Sequence, residues 1–286
     1  MRLNNFDRKL TYFWTKDLKP LLGLDLNQKG KSASGVKVEV VIPCLEKDLK
    51  TLPLVVESLR KFLKHPLGNI YIVSPVNGKI ALFCKRNDCI FIDEAKVAPL
   101  AIHKIDHKPG GEDRAGWIFQ QLIKLNADNF VKTANFLVWD ADTTLTKPQS
   151  YSRSGLFVIN HSDEFHRPYF QIYRKLMGEP ARSKVSFVSH QMIWSKKILI
   201  RLKSHIERHC KDHWYNAIVD SLDPNEASSF SEYELYGNYL NNHYPAAFML
   251  EYWFNHSLPR TSLVQAEQIL KVDARDFKSV SWHSYN

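Results

Sequence analysis

The sequence has few cysteines and no long apolar run. Its four cysteines, Cys44, Cys84, Cys89 and Cys210, are too scattered for a disulfide framework. The single C-x4-C pair at Cys84 and Cys89 has no second pair, which favours two buried thiols over a zinc site. The sequence contains no apolar stretch of about 18 residues, the length that would predict a membrane-spanning helix. The first residues lack the apolar region and cleavage site of a signal peptide, so we expect a cytoplasmic protein.

Repeats, low-complexity tracts and clustered charge are also absent from the sequence. Of its 286 residues, 44% are apolar and 24% are charged, which is typical of a globular protein with room for one large α/β domain. The net charge of +9 favours an anionic partner such as a nucleotide, a nucleic acid or an acidic membrane, although a solvated basic surface gives the same value. Because the positive charge is spread along the chain, we do not expect nucleic-acid binding.

Residues 1–35 form a basic, aromatic segment that ends in a flexible link, K-G-K-S-A-S-G, at residues 29–35. Its apolar side chains, Phe6, Leu10, Tyr12, Phe13, Trp14, Leu18, Leu21 and Leu22, are interleaved with Arg8, Lys9, Lys16 and Lys19. Such a segment can lie on an anionic bilayer. It can equally pack on the domain that follows, and the sequence leaves both interpretations open.

From residue 36 onwards, β-branched runs alternate with helical spacing. The pattern predicts strands at residues 36–42, 69–73, 89–92 and 136–139, and helices at residues 52–63 and 115–125. Further along it predicts strands at 156–159 and 247–254, a strand and turn at 186–194, and helices at 165–177, 196–210 and 232–241. This rhythm predicts a doubly wound α/β fold with a mainly parallel central sheet flanked by helices. Ligands bind such sheets beyond the carboxyl ends of the strands.

Two aspartates follow the apolar run F-L-V-W in the stretch N-F-L-V-W-D-A-D-T-T-L. Because alternate side chains of an extended strand point the same way, Asp140 and Asp142 are expected to converge on one spot. Something must offset their repulsion: a metal ion, a shared proton or a nearby cation. Mg²⁺ or Mn²⁺ together with a nucleotide diphosphate suits such a pair. A pair that only caps a turn is the structural alternative.

Several of these segments together resemble the GT-A-fold glycosyltransferases: the V-V-I-P strand end, Asp93 after the third strand, Asp140-Ala141-Asp142, and S-E-Y-E-L at residues 231–235. More narrowly, I-Y-I-V-S-P, G-W-I-F-Q-Q-L-I-K-L, L-V-W-D-A-D-T and F-V-S-H-Q-M resemble a bacterial glycosyltransferase-like family known mainly from its sequences. The resemblance spans roughly residues 36–250. It implies one GT-A, Rossmann-like domain over residues 36–286, with a nucleotide-sugar-binding half at 36–145 and an acceptor-side half at 146–286.

The resemblance also implies roles for single residues. In GT-A enzymes the end of the first strand and an acid after the third strand bind the nucleoside, which gives Pro43 and Asp93 here. The D-x-D motif binds the metal ion and the nucleotide sugar, so Asp140 is a donor and metal ligand and Asp142 a catalytic metal ligand. A C-terminal histidine often joins the metal site, and His283 in S-W-H-S matches it.

Other donor-binding candidates are Lys47, Ser74, Arg114, Trp117, Gln121 and Lys124. Trp117, Gln120, Gln121 and Lys124 are spaced to share roughly one helical face, which suits a pyrophosphate or a sugar. A solvated helix face is the competing interpretation.

The segment S-E-Y-E-L carries the candidate base. Inverting GT-A enzymes often carry E-D-x-D-L at a helix start, and on that pattern Glu232 takes the position of the base that accepts a proton from the acceptor hydroxyl. Ser231 departs from the pattern, and Ser231 with Glu234 also reads as a helix capping box. Glu234 and the polar pair His190 and Gln191 are the acceptor-binding candidates.

These observations predict a metal-dependent, inverting glycosyltransferase that uses Mn²⁺ or Mg²⁺ and a nucleotide sugar, with a UDP-sugar favoured. The acceptor is expected to be a glycan or a lipid-linked molecule in polysaccharide biosynthesis, with the basic N-terminus touching the inner membrane. A nucleotidyltransferase is the alternative enzyme, but Pro43-Cys44-Leu45-Glu46 is not the Gly-rich basic loop such enzymes carry. A basic nucleic-acid-binding protein without catalysis is the alternative from another class.

Overall fold

The computed structural model describes residues 5–22 and 34–283. Its strands are β1 (Val38–Pro43), β2 (Leu67–Ser74), β3 (Ile90–Asp93), β4 (Asn135–Trp139), β5 (Thr143–Leu145), β6 (Ser152–Arg153), β7 (Leu156–His161), β8 (Gln191–Ser195), β9 (Phe248–Tyr252), β10 (Asn255–Pro259) and β11 (Ser279–His283). Its α-helices are α1 (Asn5–Tyr12), α2 (Lys19–Leu21), α3 (Leu52–Phe62), α4 (Gly78–Arg86), α5 (Glu94–Val97), α6 (Ala115–Leu125), α7 (Arg167–Met177), α8 (Lys196–Cys210), α9 (Trp214–Ser221), α10 (Glu232–His243) and α11 (Ala266–Asp273). A π-helical turn, Phe13–Leu18, joins α1 to α2.

The central sheet has the strand order β3-β2-β1-β4-β8. The first four strands are parallel, and β8 runs antiparallel to β4. Pro43 pairs with Val73, and Ser74 pairs with Asp93, so the carboxyl ends of these strands meet at one edge. Every residue of β1 is buried, as expected for a parallel strand covered on both faces. The predicted α/β class, with a mainly parallel sheet flanked by helices, is confirmed.

Most strongly periodic segments form the predicted elements. Helix α6 and helix α8 have the predicted bounds, and the strands at the sheet centre differ by only one or two residues at their ends. Helix α4, for which no element was predicted, lies between β2 and β3, where it buries only Ile80 and Cys84. With so narrow an apolar stripe, its periodicity is weak in the sequence.

Two small sheets lie beside the central one, in the orders β10-β11-β5 and β6-β7-β9. Strand β5 begins directly after Asp142, and β11 pairs with it antiparallel, with Ser281 opposite Thr143. The small sheet therefore brings the last described residues of the chain to the D-x-D motif.

The N-terminal segment packs on the domain through one of its faces. The Tyr12 hydroxyl donates to the carbonyl of Ser162 over 2.6 Å, and Thr15 is buried. The Lys16 ammonium lies 3.4 Å from the Asp163 carboxylate. This face of the N-terminal segment therefore packs on the domain, which was one of the two interpretations of its sequence. Residues 29–33 of the predicted link lie outside the described residues. No helix within residues 5–22 and 34–283 is long and apolar enough to cross a membrane.

Candidate active site

Lys124 on α6 joins the D-x-D motif to the start of α10. Its ammonium nitrogen lies 2.5 Å from Asp140 Oδ1 and 2.7 Å from Glu232 Oε1. It also lies 3.2 Å from the Tyr233 hydroxyl oxygen. The Lys124 side chain is only 7% exposed, so these contacts form in a largely water-free environment. We call Lys124, Asp140, His190, Glu232 and Tyr233 the Lys124 cluster.

The charges of the Lys124 cluster support one another. Burial by itself would lower the pKa of Lys124, but Asp140 and Glu232 outweigh it and raise that pKa. Burial would raise the pKa of Asp140, but Lys124 and His190 keep it below its ordinary value. For Glu232 burial prevails over the attraction of Lys124, so its pKa is raised. A carboxylate with a raised pKa is a better proton acceptor, which is the chemistry predicted for Glu232.

His190 closes the cluster on the other side of Asp140. Its Nδ1 lies 3.1 Å from Asp140 Oδ2, and its Nε2 lies 3.5 Å from Glu164 Oε1. Burial favours the neutral ring, but the hydrogen bond to Asp140 and the nearby Glu164 carboxylate prevail and raise the pKa of His190 to about 10. Its φ of 59° lies in the left-handed region, where a non-glycine residue is strained, and such strain is concentrated at functional sites. The imidazolium is thus a second fixed cation beside Asp140.

Asp142 faces a different set of side chains. Its Oδ2 lies 3.6 Å from His283 Nδ1 and 3.8 Å from a guanidinium nitrogen of Arg260. Arg260 itself is held by Asp48 Oδ1 at 3.0 Å. His283 is buried on β11, and the centre of its ring lies 5.4 Å from that of His190. The structure therefore brings together Asp142 and His283, which the sequence separates by 141 positions; we call them the Asp142 pair.

The donor atoms of these residues suit a divalent cation of the Mg²⁺ or Mn²⁺ type. Two ligands on one such ion, with bonds of about 2.1 Å, lie roughly 3–4 Å apart, and Asp142 Oδ2 and His283 Nδ1 are in that range. Asp140 accepts three hydrogen bonds and has about four lone-pair sites, so acceptor capacity remains. Among the described residues, however, no three His, Cys, Asp or Glu side chains are grouped closely enough to bind a metal ion alone. The remaining ligands would have to be phosphate oxygens and water.

The predicted donor-binding residues at the sheet edge make hydrogen bonds within the protein. Pro43 and Ser74 are buried at the ends of β1 and β2, and the Ser74 hydroxyl donates to the carbonyl of Pro75. Asp93 caps α5 by accepting from the backbone of Ala95 over 3.1 Å. Lys47 is exposed, and its carbonyl oxygen accepts from Arg260. All four lie on the predicted edge, and their role in donor binding stays a prediction.

The predicted polar face of α6 contacts α10. The buried Gln121 accepts the backbone N–H of Glu232 over 3.0 Å, and so fixes the first residue of α10. The Arg114 guanidinium lies 4.7 Å from the centre of the Trp117 ring. This face is therefore not simply solvated: Gln121 and Lys124 both bind Glu232.

Two of the acceptor candidates are fully buried. The Gln191 amide donates to Asn160 Oδ1 over 3.1 Å. The Glu234 carboxylate accepts from the Ser186 hydroxyl at 2.5 Å and from the Phe187 backbone at 3.0 Å. Burial raises the pKa of Glu234 to about 7. Acceptor binding by either residue stays a prediction that burial does not support, which leaves His190 as the better candidate.

The capping interpretation of Ser231 is confirmed, but only in one direction. Its hydroxyl oxygen accepts the backbone N–H of Glu234 over 3.3 Å at the start of α10. The Glu234 carboxylate does not reach back to Ser231 and instead binds Ser186 and Phe187. The cap therefore orients α10, and it is compatible with Glu232 facing Lys124.

Sequence reasoning missed three side chains of the site. Tyr233 donates to Asp140 Oδ1 over 3.0 Å, and it stands inside the S-E-Y-E-L segment, where a hydroxyl beside two acids was a usable signal. Arg260 and Glu164 have no local signal, because their partners Asp48, Asp142 and His190 are distant in the sequence.

Three comparisons with known proteins complete the description. No curated protein matches the sequence. The fold is similar to that of mouse xyloside xylosyltransferase 1 in its apo form, with 12% identity over 87% of this chain and 99% of that chain and a TM-score of 0.48. It is also similar to galactosyltransferase LgtC in complex with donor and acceptor sugar analogues, with 13% identity over 86% of this chain and 87% of that chain and a TM-score of 0.43. Residues 36–277 match a family described as a family of unknown function, DUF6492, and because this match covers most of the chain, the protein belongs to that family.

Proposed function

We propose that the protein is a metal-dependent glycosyltransferase. It would move a sugar from a nucleotide diphosphate sugar, with a UDP-sugar favoured, to a glycan or a lipid-linked acceptor. The observation that supports this most is the Asp142 pair beside the Lys124 cluster, at the carboxyl end of β4. Carboxylates, an imidazole and fixed cations at that edge suit a cation–diphosphate ligand.

The residues of the candidate site have separate roles in the proposed reaction. The Asp142 pair would hold the Mn²⁺ or Mg²⁺ ion together with phosphate oxygens and water, and the ion would supply Lewis-acid stabilisation of the leaving diphosphate when bound. Asp140 as a further metal ligand stays a prediction. Lys124 keeps Asp140 ionised, and His190 and Arg260 place positive charge near the same spot. The ionised Asp140 carboxylate favours the cation, and the positive charges of His190 and Arg260 favour the negative charge that develops on the diphosphate as the bond from the sugar to the phosphate oxygen breaks.

Glu232 would act as the base of an inverting transfer. The acceptor hydroxyl attacks the anomeric carbon and gives its proton to the Glu232 carboxylate, whose pKa burial raises. Lys124 occupies Oε1 and the Glu232 side chain is only 4% exposed, so the proton would have to reach the second oxygen through a local opening of the site. Gln121 fixes the backbone of Glu232 and thereby its position relative to Asp140.

The cellular setting follows from the same proposal. We place the protein in the cytoplasm, in polysaccharide biosynthesis, with a peripheral contact to the anionic inner membrane. Charge supports this setting, since a net +9 attracts both nucleotide sugars and anionic lipids.

Calorimetric titration with UDP and with GDP, each with and without Mn²⁺, tests the donor site. We expect Mn²⁺-dependent binding of UDP by the wild type and its loss in Asp140→Ala/Asp142→Ala. Asp220→Ala, an exposed aspartate on α9, is the control and should bind as the wild type does. Binding that ignores both the metal and the double substitution would contradict the proposed site.

The products separate the two enzyme classes. A glycosyltransferase incubated with UDP-sugar releases UDP, whereas a nucleotidyltransferase incubated with UTP and a sugar phosphate releases pyrophosphate. UDP release that depends on Asp142 supports the proposal, and pyrophosphate release would replace it with the nucleotidyltransferase alternative.

A further inference from the structure

The N-terminal segment carries exposed apolar side chains on the face turned away from the domain. Leu10, Phe13, Trp14, Leu21 and Leu22 are 50%, 51%, 47%, 81% and 59% exposed. Four of them, Leu10, Phe13, Trp14 and Leu21, recur at the spacings of a single helical face. We call these five residues the N-terminal ridge. Large apolar side chains grouped in this way on a surface mark an interaction site, because their burial against a partner is favourable.

The opposite face of the same segment is fixed to the domain. Tyr12, Thr15, Lys16 and Lys19 follow the complementary helical spacing, and Thr15 is buried. Besides the Tyr12 and Lys16 contacts already described, the Lys19 ammonium donates to the carbonyl of Leu250 over 3.0 Å. The domain therefore holds the segment with its ridge outwards, and the ridge is a fixed part of the surface.

The charge of the segment favours an anionic partner. Among its described side chains four are cationic, Arg8, Lys9, Lys16 and Lys19, and one is acidic, Asp17. Phe, Trp and Leu flanked by lysines are the composition of helices that lie in the boundary of an anionic bilayer. Each lysine or arginine near such a surface contributes about 1 kcal/mol of attraction. A second copy of a chain with a net charge of +9 would instead be repelled.

The segment that carries the ridge is connected to the candidate site through a few contacts. Its domain-facing side is bound to Ser162 and Asp163, and the following residue, Glu164, contacts His190. His190 in turn binds Asp140. The loop that holds the segment therefore also contacts the site.

We propose that the N-terminal ridge is an interfacial anchor for an anionic lipid bilayer, and that it presents the site to an acceptor borne by a membrane lipid. This inference deepens the proposed function, because the choice of acceptor rests on sugar transfer, while the anchor itself does not. Insertion of Phe13, Trp14 and the leucines would bury apolar surface, with the exposed Lys9 and the partly exposed Lys16 available to the headgroups.

Vesicle sedimentation of the full chain tests the anchor. The two probes are liposomes of phosphatidylcholine alone and liposomes that also contain about 30% phosphatidylglycerol. The second composition gives an anionic surface of the kind that attracts basic segments. We expect binding to the anionic vesicles, weakened by high salt, and a drop of at least about tenfold in Phe13→Ser/Trp14→Ser. The control Ile200→Ser/Val272→Ser removes two apolar side chains of matched exposure, 46% and 53%, on α8 and α11, and should bind like the wild type.

The outcomes separate the anchor from the site. Equal binding of the wild type and Phe13→Ser/Trp14→Ser to anionic vesicles, or no vesicle binding with concentration-dependent dimerisation in a sedimentation velocity run, would overturn the anchor. The same variant is titrated with UDP and Mn²⁺ in the absence of lipid, where we expect unchanged binding. Loss of vesicle binding with intact UDP binding in Phe13→Ser/Trp14→Ser supports the anchor.

The lipid acceptor is tested by sugar transfer. Wild-type transfer to a lipid-borne acceptor but not to a water-soluble one, with that transfer lost in Phe13→Ser/Trp14→Ser, supports the lipid acceptor. Wild-type transfer to a water-soluble acceptor as fast as to the lipid-borne one would overturn the lipid acceptor.

Discussion

Asp140 and Asp142 are separated by one residue, but they belong to regions of different character. Both oxygens of Asp140 are hydrogen-bonded inside the Lys124 cluster, with the closest contact at 2.5 Å. The nearest ionic partners of Asp142 lie at 3.6 and 3.8 Å, beyond hydrogen-bond distance. The first region is a hydrogen-bonded network that fixes geometry, whereas the Asp142 carboxylate makes no side-chain contact this short. We therefore propose that the first acid of the motif serves stability and the second serves ligand binding.

The largest expected effect comes from removing the cation of the Lys124 cluster. Lys124→Met leaves the buried Glu232 and the partly buried Asp140 as close carboxylates without their shared cation, so we expect the free energy of unfolding to fall by about 3–5 kcal/mol. Urea denaturation measures this loss. Lys79→Met, which removes a lysine with a 73% exposed side chain, is the control and should cost less than about 0.5 kcal/mol. Equal stability of the two variants would show that the cluster carries no stabilising network.

The next largest effect is a pH dependence of stability that comes from Glu234. The two acids at the start of α10 differ in their partners, because Glu232 contacts the Lys124 ammonium and Glu234 accepts only from neutral donors. The pKa of Glu234 is raised from 4.5 to about 7. Between these values the unfolded chain loses the proton while the folded chain keeps it, so stability falls as pH rises, by about 3 kcal/mol in all. Below pH 4.5 and above pH 7 this contribution is constant.

Glu234→Gln should remove that fall. Stability curves between pH 4 and pH 8 of the wild type and the variant are subtracted, which cancels the other titrating groups, and Glu57→Gln on the surface of α3 is the control. A difference that does not change with pH would mean that Glu234 titrates normally in the folded protein.

The two aspartates are compared directly by single amide substitutions. Asp140→Asn weakens the bonds to Lys124 and His190, and we expect a loss of about 2 kcal/mol of stability. Asp142→Asn breaks no short bond and should stay within about 0.5 kcal/mol of the wild type. Thermal unfolding measures both. The same cost for both variants would remove the distinction between the two regions.

The smallest expected effect concerns the other half of the Asp142 pair. His283→Ala takes away one proposed metal ligand, so Mn²⁺-dependent UDP binding should weaken by at least about tenfold, or roughly 1.4 kcal/mol. His103→Ala, at an exposed histidine, is the control. Unchanged Mn²⁺-dependent UDP binding in His283→Ala would exclude His283 from the metal site. The aspartates would then be the remaining candidate metal ligands.

The sequence predicted the central sheet because its strands are continuous apolar runs and its helices have regular stripes. Helix α6 is an example. The spacing of its apolar residues predicted both of its ends, and the polar residues between them include Lys124 and Gln121. Strands β10 and β11 were missed. N-H-S-L-P has little apolar periodicity, and S-V-S-W-H alternates over only five residues, with two apolar side chains, Val280 and Trp282. The two strands pair with each other, and β11 also pairs with β5.

For the site, local motifs predicted which residues are close to a strand end but not how they pair. Asp140, Asp142 and Lys124 were selected for one ligand, yet Lys124 binds Asp140 itself. Such a contact depends on how α6 packs against β1 and α10, which no local pattern contains. The burial of Glu234 has the same origin, because its partners Ser186 and Phe187 come from a loop 47 and 48 residues away.

The pairing of β11 with β5 has a consequence for the order of folding. His283 reaches Asp142 only when residues 279–283 have been added to the small sheet. The D-x-D motif, in contrast, follows β4 directly and does not need that sheet to be complete. If the proposed metal site is correct, the capacity to bind the cation would therefore depend on the addition of β11.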